Sequence, residues 1–399
     1  MKLLCVNAGS SSLKFQLFEM PEEEVLISGY IEKVGIEGSF WNTKVNGNKI
    51  KGEKYLKNHT EAVKVMLDEL LKHGAVKDLS EIKGVGHRVV HGGEKYAESV
   101  LITDEVIKSI KELTKLAPNH HPGNLAGIEA MQDALPDVPM VAVYDTAFHQ
   151  TMPKENYMYP VPMEWYEKYG VRKYGFHGTS HKYITEEMKK KLGRDDVNLI
   201  IAHVGSGGSL SAIKDGKCFD TTMGLTPLDG IMMGTRCGSI DPSIIDYVCK
   251  ESGLNVDEVT MMLNKKSGYL GIAGHSDSRD VEQAAKDGDE NAELAIKMYN
   301  NRVANYVAQY YIELGGKVDA IVLTAGVGEN GSAFRSALIN KLAPLGLTLD
   351  EKENDSIASF KDKHEGIISG KDSSIPVYVV PTDEEIMIIR DTYNIITNM

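Results

Sequence analysis

Three short turns of small residues could approach phosphate groups. They lie at residues 7–12, followed by Lys14, at 203–208 and at 326–330. Glycine lets the backbone come close to an anion, and the N–H groups of a turn can converge on it. A single glycine turn is common in any protein. Three of them, each ending an apolar strand-like run, indicate a nucleotide site.

Arginine, histidine and aspartate at probable strand ends form the second group of candidates. Arg88 lies in the strand-like run 87–93, Arg236 in the glycine-flanked loop 234–238, and His177 between glycines ahead of a probable helix. Asp145 ends the apolar run 140–144, and ligands bind at strand ends in open α/β sheets. A guanidinium group can hold a carboxylate or phosphate through two hydrogen bonds. Alone, each of these residues is at least as compatible with a structural role, such as a salt bridge or a cap, and an isolated histidine of this kind is more often structural than catalytic.

Composition and missing motifs exclude several other classes of protein. The 399 residues carry a formal charge of -13, which repels nucleic acid and anionic membrane surfaces. No apolar run approaches the roughly 20 residues of a membrane span. The four cysteines have no Cys-x-x-Cys spacing, which indicates a reducing compartment, the cytoplasm, without disulfide or zinc. The P-loop motif is missing as well.

The candidate residues sit on alternating strand and helix patterns. Residues 3–10 and 199–206 are similar, since in each an apolar strand meets a small-residue turn and a second strand, at 13–18 and 210–213. Further strands are predicted at 320–323 and 377–380, and helices at 60–73 and 291–314. The repeat indicates a duplicated, two-lobed α/β protein with a cleft, although two unrelated strand–turn pairs would read the same. The hairpin after each first strand argues against a dinucleotide fold.

Longer motifs around these residues resemble the acetate kinase family. They are Asn-Ala-Gly-Ser-Ser-Ser-Leu-Lys-Phe at 7–15, His-Arg-Val-Val-His-Gly-Gly-Glu at 87–94, Asp-Thr-Ala-Phe-His at 145–149, Tyr-Gly-Phe-His-Gly-Thr-Ser-His at 174–181 and Gly-Leu-Thr-Pro-Leu-Asp-Gly-Ile-Met-Met-Gly-Thr-Arg at 224–236. The resemblance covers essentially the whole chain, in order, and is specific for acetate, propionate and butyrate kinases. It implies a ribonuclease H-like fold of the actin, Hsp70 and sugar kinase type. We expect an N-terminal lobe at 1–150, with 384–399 packed on it, and a nucleotide-binding lobe at 151–383.

The resemblance also implies a role for each matching residue. The catalytic residues would be Arg88, Asp145, His177 and Arg236. The acid would contact Arg88, Val90, Phe176, Pro227 and position 119, occupied here by Asn119. Mg²⁺, for which Mn²⁺ can substitute, would be held by Asn7 and Glu384. The nucleotide would be bound by Ser10, Ser12, Lys14, His203, Val204, Gly205, Ser206, Gly207, Asp277, Ser278, Arg279, Gly326, Val327, Gly328, Glu329 and Asn330.

The implied reaction is reversible, in-line phosphoryl transfer from ATP to acetate, which yields acetyl phosphate and ADP in a cytoplasmic homodimer. Such a transfer is catalysed mainly by positioning and charge stabilisation. Acetate is already ionised at pH 7, because carboxylic acids have a pKa of about 4–5. We therefore hypothesise that Asp145 orients an arginine or a Mg²⁺-bound water and abstracts no proton. The implied partners are small molecules, with neither nucleic acid nor membrane among them.

Three departures from the family pattern bear on the substrate and on reactivity. Asn119 stands where the family has a leucine wall of the methyl pocket, so propionate and butyrate are alternative substrates; we favour an amide turned out of the pocket. Cys237 and Ser239 replace a serine and an aspartate, and we expect Arg236 to favour the reactive thiolate of Cys237. Ser206 replaces an asparagine. A more distant alternative is an actin- or Hsp70-like ATPase without a small-molecule acceptor.

Overall fold

A computed structural model describes the protein from Met1 to Met399. The chain forms two compact units. The first consists of Met1–Gln150 and Asp383–Met399, and the second of Thr151–Thr382. No helix in either unit has both the length and the apolar character needed to cross a membrane.

The first unit is built on an eight-stranded mixed sheet. Its strands are β1 (Lys2–Ala8), β2 (Ser12–Glu19), β3 (Glu24–Glu32), β4 (Phe40–Val45), β5 (Asn48–Glu53), β6 (Ile82–Val89), β7 (Val100–Leu101) and β8 (Met140–Tyr144). The strand order is β5-β4-β3-β2-β1-β6-β8-β7. Strands β1, β2 and β3 are antiparallel neighbours, whereas β6 runs parallel to β1 and β8 parallel to β6. The carboxyl ends of β1, β6 and β8 therefore meet at one edge.

Three helices of the first unit precede the second unit in the chain: α1 (His59–Lys72), α2 (Asp104–Glu112) and α3 (His121–Ala134). Helix α1 begins where the Asn58 side chain accepts the Glu61 N–H, and it stops before Gly74, whose φ of 70° suits glycine. Its apolar face joins β1 and α3 in one buried cluster. Burial of this face, more than helix propensity, holds such a helix in place.

Helix α3 approaches β1 unusually closely because two of its residues are glycines. A Cβ atom on Gly123 would lie 2.5 Å from the carbonyl carbon of Gly9, and one on Gly127 would overlap the Cβ of Ala8. Only glycine permits this distance between backbones. The first turns of α3 are thereby held against the small-residue turn that follows β1.

The second unit contains a six-stranded sheet with the same core topology. Its strands are β9 (Leu199–Val204), β10 (Gly208–Lys214), β11 (Lys217–Thr221), β12 (Ala320–Thr324), β13 (Gly366–Ile367) and β14 (Val377–Val379). The order is β11-β10-β9-β12-β14-β13. Strands β9, β10 and β11 are antiparallel neighbours, β12 runs parallel to β9, and β14 parallel to β12. Because β11-β10-β9-β12-β14 repeats the order and directions of β3-β2-β1-β6-β8, the predicted duplicated α/β fold is confirmed.

The remaining helices are α4 (Lys154–Tyr157), α5 (Met163–Tyr169), α6 (Gly178–Leu192), α7 (Ser243–Ser252), α8 (Val256–Lys265), α9 (Gly268–Ala273), α10 (Ser278–Lys286), α11 (Glu290–Glu313), α12 (Ala325–Asn330), α13 (Ser332–Lys341), α14 (Glu351–Ser356) and α15 (Glu384–Thr397). Helix α11 begins at its cap Asp289 and buries Tyr299, Val303 and Val307 in the core of the second unit. Helix α15 belongs to the first unit and packs on β1, β6 and β8.

The structure corrects one predicted turn. Residues 326–330 belong to helix α12, which starts at Ala325 directly after β12. The Glu329 side chain folds back to accept the N–H of Ala325 at 2.8 Å and that of Thr382 at 3.1 Å. The carboxylate thereby satisfies an N–H that the first turn of a helix leaves without a partner. A glycine-rich local sequence does not predict this helix, because one of the two N–H groups that Glu329 accepts, that of Thr382, is distant in sequence.

Candidate active site

Arg88 and Asp145 form a close ion pair at the strand-end edge of the first unit. Arg88 lies near the end of β6, and Asp145 directly follows β8. Arg88 Nε donates to both carboxylate oxygens at 3.0 and 3.1 Å, and Nη2 donates to Oδ2 at 2.6 Å. Asp145 is 2% exposed and Arg88 27% exposed. Because both oxygens of Asp145 face the guanidinium group, orientation of Arg88 is the role that this geometry supports.

Asn7 and Glu384 adjoin the same pair. Arg88 Nη1 lies 3.5 Å from Asn7 Oδ1. Asn7 is on β1, directly opposite Lys14 of the neighbouring strand β2. Burial raises the pKa of Glu384 to about 7; the nearby charge of Arg88 lowers it, and those of Asp145, Glu385 and Asp383 raise it. An amide oxygen and carboxylates in negative surroundings suit a hard cation such as Mg²⁺, which protein side chains hold at one or two points only.

Two polar residues that the sequence did not single out hold the turn after β1. Asn124 of α3 donates to Ala8 O at 2.8 Å and accepts the Val90 N–H at 3.2 Å, so it joins the ends of β1 and β6. His59 Nε2, on α1, lies 2.7 Å from Gly9 O, within hydrogen-bond distance. Nothing in the local pattern marks either residue, because each sits on a helix and acts on a strand far away in sequence.

His177 lies in a strained, sparsely populated conformation at the start of α6. Its φ is 57°, in the left-handed region that residues other than glycine rarely adopt. The ring stacks on His203, with centroids 4.2 Å apart, and Nδ1 lies 2.9 Å from Ser209 Oγ. Burial lowers the pKa of His203 to about 4, so that ring is neutral at pH 7. The strain and the two-sided packing hold the His177 ring in one orientation.

Arg236 has no carboxylate within salt-bridge distance. Its Nη1 donates to Pro227 O at 3.3 Å and approaches Met233 Sδ at 3.5 Å, and burial lowers the pKa of the guanidinium group. A Cβ atom on Gly207 would lie 3.6 Å from this Nη1 and 3.7 Å from His177 Nε2. A partly buried cation without a carboxylate partner, beside a histidine nitrogen and a glycine, has the chemistry to bind an external anion.

Most of the predicted nucleotide-binding residues of the second unit line one pocket. Its volume is about 440 Å³. The predicted residues in its wall are Gly205, Ser206, Asp277, Ser278, Arg279, Gly326, Val327 and Asn330. Tyr269, Glu282 and Phe360 also line it and were not predicted. A second, more apolar pocket of about 320 Å³ shares Tyr269, Ser278, Glu282 and Val327 with it.

Several other predicted nucleotide residues lie outside this pocket. Val204 and Gly328 are buried, His203 stacks on His177, and Glu329 caps α12. Gly207 lies beside His177 and Arg236 instead. Ser10, Ser12 and Lys14 belong to the first unit, where Gly9 N donates to Ser12 O at 2.9 Å and closes the turn.

Arg279 is 87% exposed and pairs with Asp277, its neighbour at the start of α10. Its side chain is therefore largely open to solvent at the pocket wall. The paired guanidinium group lowers the pKa of Asp277 to about 2, so this carboxylate is ionised at any physiological pH.

The four candidates for the acid pocket differ in burial. Val90 and Phe176 are buried, Pro227 is partly buried and contacts Arg236 through its carbonyl, and Asn119 is exposed in the turn before α3. The exposed amide of Asn119 agrees with the expectation that it turns outward. Burying it without a partner would cost about 1–3 kcal/mol.

The expectation of a reactive Cys237 thiolate is wrong. Burial raises the pKa of the Cys237 thiol, and the arginine whose charge opposes this effect is Arg302 and not Arg236. The thiol donates to Gly238 O at 3.0 Å, while Arg236 points to Pro227. Adjacency in sequence suggested a charge contact that the loop conformation does not make. Ser239, the second departure, bonds to Asp229 Oδ1 at 2.6 Å.

Comparison with known proteins decides the family. Residues 2–390 match the profile of the acetokinase family. The chain belongs to this family. An acetate kinase of Geobacillus sp. (strain WCH70) is 50% identical to this chain over 393 residues, 98% of either chain. Among solved structures, an acetate kinase from Porphyromonas gingivalis has 44% identity and a TM-score of 0.93 over 99% of both chains.

A propionate kinase from Francisella tularensis subsp. tularensis SCHU S4 is similar to this chain to nearly the same degree. It has 43% identity and a TM-score of 0.92, over 98% of this chain and 99% of its own. The predicted family and fold class are therefore confirmed. The near-equal likeness to proteins named for two acids means that the fold alone does not select the acid.

Proposed function

We propose that this family member is an ATP:acetate phosphotransferase that interconverts acetate and ATP with acetyl phosphate and ADP. Curated relatives about 50% identical over nearly the whole chain are named acetate kinases, which favours acetate over propionate. The reaction needs two anions brought together and the charge of the moving phosphoryl group stabilised. Each requirement has a candidate residue.

The observation that carries the proposal is the burial of Arg236 without a carboxylate partner. Its guanidinium group is partly buried, has no carboxylate partner, and approaches the position that a Gly207 side chain would fill, as does His177 Nε2. We assign Arg236 and His177 to the phosphoryl oxygens, whose negative charge is spread in the transition state. A larger residue at 207 would fill the place where these donors converge.

The first unit supplies the carboxylate side of the reaction. We assign the acetate carboxylate to Arg88, whose orientation is held by Asp145 through three contacts. Asp145 is 2% exposed and Arg88 contacts both of its oxygens, so we assign it to orienting Arg88; acetate has no proton to give at pH 7. Val90, Phe176 and Pro227 are the candidates for contact with the methyl group.

Mg²⁺ fits the oxygen ligands Asn7 and Glu384, with Mn²⁺ as a substitute. The ion would neutralise phosphate charge in the reaction. Asn7 and Glu384 would position the ion, and its positive charge would offset part of the negative charge around Glu384. Ser10, Ser12 and Lys14 of the turn after β1 are assigned to phosphate contacts.

ATP and ADP are assigned to the second unit. The 440 Å³ pocket offers backbone at Gly205 and Gly326 for phosphate and ribose, and the adjoining apolar pocket suits a purine base. The 1–150 and 384–399 segments would then form the acid-binding lobe, and 151–383 the nucleotide-binding lobe. A cytoplasmic homodimer acting on small molecules completes the proposal.

The test is a hydroxamate assay for acyl phosphate. The purified chain is incubated with ATP, Mg²⁺ and either acetate, propionate or butyrate. The proposal expects the highest kcat/KM with acetate. A higher kcat/KM with propionate or butyrate would replace the substrate, and ATP hydrolysis without acyl phosphate would refute acid kinase activity altogether.

A further inference from the structure

Ser209 is a buried serine with two histidines on its hydroxyl. It lies in β10, is fully buried, and its Oγ is 2.9 Å from His177 Nδ1 and 2.9 Å from His181 Nε2. His181 is one turn along α6 from His177 and is itself fully buried. Neither Ser209 nor His181 was a candidate from the sequence.

The hydroxyl carries one proton, which limits how the two contacts can form. A serine hydroxyl can donate one hydrogen bond and accept others. It can therefore donate to one imidazole nitrogen only, and the other imidazole must donate its own N–H to Oγ. The protonation of the two rings is thus linked through a single oxygen atom.

The direction of the linkage follows from the position of His177 Nε2. This nitrogen and Arg236 Nη1 both lie within 3.7 Å of the Cβ position of Gly207. Under the proposed function it faces phosphoryl oxygens, which need an N–H donor and are repelled by a bare nitrogen lone pair. A second proton on His177 would set a cation beside the guanidinium group of Arg236, which Coulomb repulsion disfavours.

We propose that Ser209 is a positioning residue that selects the tautomer of His177: His181 Nε2–H donates to Ser209 Oγ, and Ser209 Oγ–H donates to His177 Nδ1. The neutral ring of His177 then carries its proton on Nε2, where the phosphoryl group is bound. No proton leaves the site in this arrangement. The inference rests on the proposed function for its catalytic meaning, but the tautomer itself is a property of the protein without substrate.

The first test measures the tautomer directly. In the ¹⁵N NMR spectrum of the full-length, ¹⁵N-histidine-labelled protein at pH 7.5, the signals of His177 are assigned by their loss in His177→Gln. The expected result is an unprotonated Nδ1 and a protonated Nε2. A protonated Nδ1, whether in the neutral ring or in a doubly protonated one, would overturn the proposal whatever the enzyme activity proves to be.

The second test uses a matched pair of variants. Ser209→Ala removes the donor to His177, and Ser211→Ala removes a hydroxyl that is equally buried two residues along the same strand but bonds to Thr221 Oγ1 at 2.9 Å. We expect Ser209→Ala to mix the two tautomers of His177 and to lower kcat about 5- to 50-fold, with KM for acetate and ATP changed less than about threefold. Ser211→Ala is expected to leave both properties unchanged.

Two outcomes of the second test would count against the proposal. One is an unchanged His177 tautomer in Ser209→Ala. The other is an equal loss of kcat in Ser209→Ala and Ser211→Ala, because the effect would then come from packing of β10 and not from the shared hydroxyl. A chain with no acetate kinase activity would refute the proposed function alone and leave the tautomer measurement standing.

Discussion

Asp145→Asn tests whether this carboxylate acts by orienting Arg88. The substitution keeps the shape of the side chain but removes its charge and replaces one acceptor oxygen by an NH₂ group. Arg88 makes three contacts with the two oxygens, between 2.6 and 3.1 Å. An asparagine can retain the acceptor for one guanidinium nitrogen, while its NH₂ group faces another donor. At least one hydrogen bond to a charged group is lost.

The expected magnitude follows from that loss. A hydrogen bond to a charged group contributes about 1.5–3 kcal/mol, equivalent to about 10- to 150-fold in rate. The Arg88 side chain is 27% exposed, so water screens part of the loss. We expect kcat/KM for acetate to fall about 10- to 40-fold, measured by the hydroxamate assay at saturating Mg²⁺ and ATP.

The control is Glu23→Gln, which removes the charge of a different carboxylate in the first unit that accepts two hydrogen bonds from an arginine. Glu23 accepts Arg390 Nε at 2.6 Å and Nη2 at 2.8 Å. This variant is expected to retain wild-type kcat/KM. A loss below about threefold in a folded Asp145→Asn protein would refute the orienting role. A loss above about 10⁴-fold, or a shifted Mg²⁺ titration, would instead show that Asp145 acts on the reacting atoms or the metal.

Four further predictions concern single residues. Arg236→Ala should lower kcat about 10²- to 10³-fold in a folded protein, and near-normal turnover would remove this arginine from the mechanism. Glu384→Gln should raise the Mg²⁺ concentration for half-maximal rate at least about tenfold, and an unchanged titration would contradict the metal assignment. Alkylation of Cys237 by iodoacetamide, followed by mass spectrometry, should be slow at pH 7 and accelerate only above the ordinary thiol pKa of about 8.5, since burial raises the pKa of this thiol; rapid labelling at pH 7 would refute this. Asn119→Leu should leave KM for acetate within about twofold, whereas a large fall would place the amide in the acid pocket.

The spacing of apolar residues and the residues at turns and caps predict the bounds of several strands and helices around the site. The strand at 140–144 is found with those bounds, and the predicted helices 60–73 and 291–314 begin and end within one residue of α1 and α11. These features are local, because the period of apolar residues and a cap or glycine at each end specify them. The repeat between 3–10 and 199–206 likewise predicted two sheets of one topology.

The partners of polar side chains were decided by the tertiary structure. The sequence offered Arg88, Arg236 and Asp145 as equals, yet Arg88 is paired with Asp145 and Arg236 has no carboxylate partner. Asn124 and Ser209 were overlooked because their partners lie on strands or helices distant in sequence.

The corrections have the same physical origin. The turn predicted at 326–330 is instead helix α12, in which Glu329 accepts the N–H of Ala325, and the charge contact expected between Cys237 and Arg236 is not made by the loop. A hydrogen bond depends on distance and angle to tenths of an ångström, and burial alters a pKa according to every neighbour in space. A linear pattern names the residue types available for chemistry, whereas only the packed chain determines which of them meet.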